Sequence, residues 1–196
     1  MRFFLVLIFS LSLAFGGLLK DEIAPQMQAK IDSVLEILQN KTLDEVAVSE
    51  KIFELLDGNF DFNLMARLSL GSSQWRNLNT KDQERFTEHF IAKLKRSLVQ
   101  KLRLYSDEIM VIKETREVRI GNATRIFLIT ELIGQEKNYP IVYKFYETRD
   151  GEWMIYDVDV LEVSLIQTYR SQFDGYLNNH TLDDLIVWLD KDEEIE

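Results

Sequence analysis

The chain contains no cysteine. That absence removes disulfide frameworks, thiolate metal sites, cysteine nucleophiles and cysteine-linked lipid anchors. Proline and glycine are scarce, two and eight residues among 196, so low complexity and extended disorder do not fit the composition. Basic residues are outnumbered: 23 Lys and Arg face 33 Asp and Glu, for a net charge of −10. Nucleic acid is a poor partner for such a surface, because phosphate binding needs dense Lys and Arg. Catalytic signatures are missing too, with no Gly-rich phosphate loop, no GxSxG elbow and no HExxH. The two histidines, His89 and His180, stand on separate helical stretches without a ligand pattern and read as surface or capping residues. What is present is apolar: 46% of the chain, at a length that fits one domain with a full core.

Residues 3–19 carry no charge and lie between Arg2 and Lys20. A basic start, an apolar run and small residues at Ala14 and Gly16 read as a secretory leader cleaved after Gly16. The expected layout is therefore a signal peptide over 1–16 and one domain over 17–196. A retained membrane anchor wants ~20 apolar residues, and this run is shorter and holds two serines. Loss of Arg2 with the leader makes the mature chain one unit more negative.

Helical spacing governs the first half. Met27, Ile31, Val34, Leu35 and Leu38 form one stripe over about 22–39. Thr42 and Glu45 read as a capping box for a second helix ending near Asp57-Gly58. Asp61 is placed to cap a helix over Phe62–Leu70 that Gly71 stops. Thr80 and Gln83 read as another box before a long run, 81–105, with Phe86, Phe90, Leu94, Leu98 and Leu102 every four residues. The pattern then changes to strands: Met110–Ile120, Ala123–Ile133, Tyr139–Thr148 and Glu152–Leu161. Gly121-Asn122 and Arg149-Asp150-Gly151 supply two of the turns. Ile126, Leu128 and Leu132 are assigned one strand face, Tyr139, Ile141, Tyr143 and Phe145 another, and Met154, Tyr156, Val158 and Val160 a third. Val163, Ile166, Phe173 and Leu177 return to helical spacing, Thr181 with Asp184 opens a last helix, and 190–196 is an acidic tail. Helices, a four-stranded antiparallel meander, then helices make an α+β domain.

Three features invite a chemical reading. Asp157 and Asp159 share one side of a strand, where paired carboxylates do acid–base work, or simply line an exposed polar face. Ser164 has no histidine partner nearby and reads as the start of the next helix. Between Ala92 and Ser106 there are five basic residues and no acid. Of these, Lys93, Arg96 and Arg103 fall on one helical stripe, either a solvated face or a dock for an anionic partner.

Larger signals come from two segments. Phe60-Asp61-Phe62, Met65-Ala66-Arg67, Leu70-Gly71 and Trp75 resemble the first signature of the MlaC "toluene tolerance" family of periplasmic phospholipid-binding proteins. Trp153 to Val158, Val163-Ser164-Leu165 and Tyr169-Arg170-Ser171-Gln172-Phe173 resemble its second. The likeness spans almost all of the mature chain; Glu162 departs from it, standing where many members have glycine. The resemblance implies a curved antiparallel sheet wrapped by helices in a nuclear-transport-factor-like cone, around an apolar cavity. It implies a periplasmic carrier that is not an enzyme. Such a carrier takes glycerophospholipid between an outer-membrane lipoprotein–porin complex and an inner-membrane ABC transporter with an MCE-domain protein, as a monomer without a cofactor, and so maintains outer-membrane asymmetry.

Each acyl methylene removed from water contributes ~0.8 kcal/mol, so a carrier must offer a comparably apolar interior. Candidate lining residues are Ile126, Leu128, Ile141, Tyr143, Met154, Tyr156, Val158, Leu165, Tyr169 and Phe173. Arg170 is open to two roles, a phosphate contact at the mouth or an internal pair with Asp157. A strongly acidic domain should not adsorb to anionic leaflets, so loading would use protein docking, with Lys93, Arg96 and Arg103 steering a partner. Two other readings remain on the sequence alone: a binding protein for another apolar ligand, and a cone-fold enzyme using Asp157 or Asp159 as base.

Overall fold

The computed structural model describes residues 17–40, 42–102 and 108–191. The leader, Arg103 and the end of the acidic tail lie outside the described residues.

Side-chain caps fix where most helices begin. Helix α1 covers Ile23–Gln39. In α2, Glu45–Leu56, the cap is Asp44, whose carboxylate accepts from the Ala47 amide at 2.8 Å. Thr42, expected as that cap, instead donates its hydroxyl to Asn40 at 2.6 Å, so a simple cap two residues later replaces the box. Asp61 caps α3, Phe62–Leu70, through the Leu64 amide, and the helix stops at Gly71 as read from sequence. A short α4, Ser72–Asn77, follows. For α5, Thr80–Leu102, Asn79 does the capping by accepting from the Asp82 amide. Gln83, expected in a box with Thr80, turns back to the Trp75 carbonyl. Among the described residues, no helix is long and apolar enough to cross a membrane.

The sheet has one strand more than expected. Strands β1 (Ile109–Ile120), β2 (Ala123–Ile133), β3 (Asn138–Glu147), β4 (Trp153–Val160) and β5 (Val163–Ser164) run in that order, each pair antiparallel. Val163 reads as helical by spacing, yet Leu161 and Glu162 both adopt positive φ, 53° and 66°, and fold the chain straight back. Two such residues form the tight turn whose twist suits a hairpin, so Val163 pairs with Val160 before the helix begins. The rest of the β4 edge is covered as well. Leu18 exchanges backbone bonds with Trp153, and the Asp61 amide donates to the Ile155 carbonyl. An edge so covered offers no template for a foreign strand.

Helices α6 (Leu165–Leu177) and α7 (Leu182–Leu189) close the chain. Ser164 caps α6 through the Gln167 amide, and Thr181 with Asp184 forms the expected capping box of α7. Two apolar clusters result. One lies among α3, α5, α6 and α7 and holds Met65, Phe86, Phe90, Phe173 and Trp188. The other lies between α1 and the sheet and holds Ile23, Met27, Ile126, Leu128, Phe145 and Ile155. Phe60 packs against both.

Candidate functional site

Residues directly opposite in an antiparallel pair share a sheet face. The register therefore places Met110, Leu132 and Tyr139 on one face, with Ile112, Thr130, Ile141 and Val160, and with Leu128, Tyr143 and Val158. Ile126, Phe145 and Ile155 continue the same face toward the other end. Helix α1 lies over that continuation: Ile126, Leu128, Phe145 and Ile155 are at most 2% exposed beneath Ile23 and Met27. Covering fades toward the end that carries the β2–β3 and β4–β5 turns. There Met110, Ile112, Leu132, Ile141, Tyr143 and Val158 are half-buried. At the rim of this face, Val160 and its partner Val163 are 46 and 60% exposed, while Ile109 and Ile133 pair on the opposite face. The result is a continuous apolar face, sealed at one end and half-open at the other.

Two register shifts rearrange the faces expected from strict alternation. The β3–β4 pairing slips between Lys144 and Phe145, leaving one extra residue in β4. A bulge of this kind reverses side-chain parity beyond it. Met154 and Tyr156 consequently point away from Val158, onto the opposite face. Tyr156 there meets the Tyr146 ring edge-on and lies under the Arg125 guanidinium. Of the ten candidate lining residues, Ile126 and Leu128 sit at the sealed end, and Ile141, Tyr143 and Val158 at the half-open end. Leu165, Tyr169 and Phe173 belong to α6 and the helical core, where Phe173 is fully buried between Phe86, Phe90 and Trp188. Met110, Ile112 and Leu132 complete the half-open face and were missed. Cross-strand register, not spacing within a strand, is the signal that finds them.

Among the described residues, the half-open end of this face is an open surface flanked by half-buried side chains. Two pockets of about 280 Å³ are present, one at the α1-covered end of this face against Lys20, Asp21, Ala24, Thr115, Glu117 and Ile126, the other between α1 and α2 at Glu36, Asn40 and Lys51. Both carry charged walls, and each falls just under the ~300–1,000 Å³ usual for small-molecule sites.

The carboxylate pair is already engaged. Asp157 is buried, not on an exposed polar face. It accepts from Lys144 Nζ at 3.0 Å, Ser164 Oγ at 2.8 Å and the Val158 and Ile166 amides, so it caps the start of α6. Asp159 meets the same Lys144 ammonium at 2.5 Å. Burial alone would lower the lysine's pKa, but its bonds to Asp159 and Asp157 outweigh that and hold it above the ordinary value. A carboxylate neutralised in this way is poorly placed to remove a substrate proton. Arg170 is not its partner. The Arg170 guanidinium lies against Gly71, where a Cβ would come within 2.5 Å of Cζ, and its Nε donates to Asp174 at 3.3 Å.

The basic stripe of α5 faces the protein's own last helix. Lys93 is only 7% exposed; its ammonium donates to the Lys191 carbonyl at 2.9 Å and sits 5.1 Å from the Trp188 ring centre. Arg96 donates to the Leu189 carbonyl, and His89 bonds Asp190 at 2.6 Å. Cations are favoured where the carbonyls at a helix C-terminus are left over, so Lys93 and Arg96 dock α7 and are not the freely solvated steering charges expected. His180 bonds the Tyr176 carbonyl and stacks on that ring.

An α+β chain with a helical core and one half-covered apolar sheet face is the class these observations define. The family model described as MlaC protein matches residues 28–191, and the chain belongs to that family. A solved structure of a phospholipid-binding protein from Ralstonia solanacearum, in complex with a phospholipid, superposes with a TM-score of 0.69. It is 19% identical, and the match covers 85% of this chain and 93% of that one. None of the curated proteins compared matches the chain.

Proposed function

We propose that the protein is a periplasmic phospholipid carrier. Acyl chains would lie on the half-open apolar face with the headgroup left in water, and lipid would pass between an outer-membrane lipoprotein–porin complex and an inner-membrane MCE-domain ABC transporter, maintaining outer-membrane asymmetry. The observation that carries this reading is the incomplete cover of the sheet face. An apolar sheet face left half-covered is a place where something apolar can dock, and at ~0.8 kcal/mol per methylene a chain of about 15 carbons has reason to stay. Chains longer than the half-open end would make room by lifting α1 from the sheet. Family membership and the phospholipid held by the Ralstonia solanacearum protein support the same cargo. Export fits the local chemistry of the leader boundary: the Gly17 amide lies 3.0 Å from the Glu152 carboxylate, so cleavage after Gly16 would set a new ammonium beside an acid. The net charge of −10 favours loading by protein docking over collision with anionic leaflets. The test is to purify the chain from Gly17 without detergent and weigh it by native mass spectrometry. Near one phospholipid per protein is expected; an empty protein that also takes none from vesicles would end the carrier reading.

A further inference from the structure

The apolar face holds one polar atom with a poor partner. Tyr143 projects from β3 across β2, and its hydroxyl ends 3.7 Å from the sulfur of Met110 on β1. Met110 stands with Leu132 and Tyr139 in the row beyond Ile141 and the 46% exposed Val160 on the same face, so the hydroxyl lies near the mouth of the half-open end. A thioether is a weak acceptor, and a buried hydroxyl without a proper acceptor is costly to the fold. Thr130, which lies between the two residues on β2, gives no help, because its own hydroxyl donates to the Ile141 carbonyl at 2.9 Å. Desolvation pushes the Tyr143 phenol up to about 12, so at neutral pH it is a proton donor and carries no charge.

We propose that the Tyr143 hydroxyl donates to an acyl-ester carbonyl of the bound glycerolipid and so selects ester-linked over ether-linked chains. This rests on the carrier reading above. The chemistry fits an ester in particular. Its carbonyl is a neutral, strong acceptor at the junction between headgroup and chains, the level at which a donor near the mouth would meet it. An ether oxygen at the same level is a weaker acceptor and leaves the hydroxyl with its sulfur. A site built to hydrogen-bond one group discriminates against the analogue lacking it, because its own polar atom is then stranded.

The experiment offers vesicles of phosphatidylethanolamine carrying either two oleoyl esters or two oleyl ethers and measures uptake of each. The wild-type chain is expected to take the ester form about fivefold to tenfold better, as one neutral hydrogen bond allows. Tyr143→Phe is expected to bring the two within about twofold, chiefly by lowering ester uptake. A wild-type chain without preference, or a Tyr143→Phe chain that retains it, overturns the assignment. Should the variant fail to fold, infrared spectra of wild-type protein holding ester lipid with carbon-13 carbonyls decide. A carbonyl band lowered by hydrogen bonding is expected, and an unshifted band contradicts the proposal. Uptake of neither lipid by the wild type overturns the carrier reading and this assignment together.

Discussion

The helical core and the sheet face are made of the same kinds of side chain but are covered to different degrees. Phe86, Phe90 and Phe173 interlock edge to face with centroids 5.7 to 6.1 Å apart, except for the near-parallel Phe86–Phe90 pair at 5.9 Å, and all three are fully buried. On the sheet, Leu128 is fully buried while Tyr143 and Val158, its neighbours across the same row, are half-exposed. Interiors gain their stability from close packing on all sides. A face packed on one side only gives up part of that gain and keeps apolar surface free for a ligand. The contrast separates the residues that hold the fold from those placed to hold cargo, and it can be attacked from either side.

The largest effect belongs to the core. Phe173→Ala should cost about 3–5 kcal/mol in urea unfolding and leave lipid per folded molecule unchanged. Asp157→Ala should cost about 3 kcal/mol, because a buried partner of Lys144 and the acceptor of the Val158 and Ile166 amides are lost together; circular dichroism in denaturant would measure it. Alkaline titration sharpens the contrast next. Burial raises the Tyr143 and Tyr146 phenols from 10.0 to about 12, and for Tyr146 the bond to Asp61 adds to this. Their folded values lie above the unfolded ones. The stability they contribute is thus complete below pH 10 and lost as the pH climbs toward 12. Tyrosinate absorbance should show these two groups ionising late, along with unfolding. On the half-open face, Val158→Lys should change stability by only about 1 kcal/mol yet abolish bound phospholipid in the purified protein. The smallest effect is at the β4–β5 turn. Glu162→Gly should stabilise by a few tenths to about 1 kcal/mol, because glycine takes a positive φ without strain, and a melting curve would register it.

Much of the fold is legible in the sequence. Asp61, Ser164 and the Thr181–Asp184 box mark helix starts because a cap is a local event between residues two or three apart. Glycine at 121, with φ of 60°, marks its turn for the same reason. Legibility ends where a long-range partner decides. The bulge at β3–β4 exists only in the pairing of two strands, and it sends Met154 and Tyr156 to the face opposite Val158. Lys93 and Arg96 look like a solvated stripe until α7, over ninety residues later, is laid against them. Asp157 reads as a surface acid because neither Lys144 nor the start of α6 is visible from its own strand. The half-open face was reached in part, through Ile141, Tyr143 and Val158. The α6 candidates lie in the helical core, and aromatic residues at helical spacing fill a core as readily as they line a cavity.

The most direct test of that division is photocrosslinking with a phospholipid that carries a diazirine in its acyl chain, followed by mapping the labelled residues. Labels on Met110, Ile112, Leu132, Ile141 and Val158 are the expected result. Labels confined to Met154 and Tyr156 on the opposite face, or to Phe86, Phe90 and Phe173 in the helical core, would contradict the account.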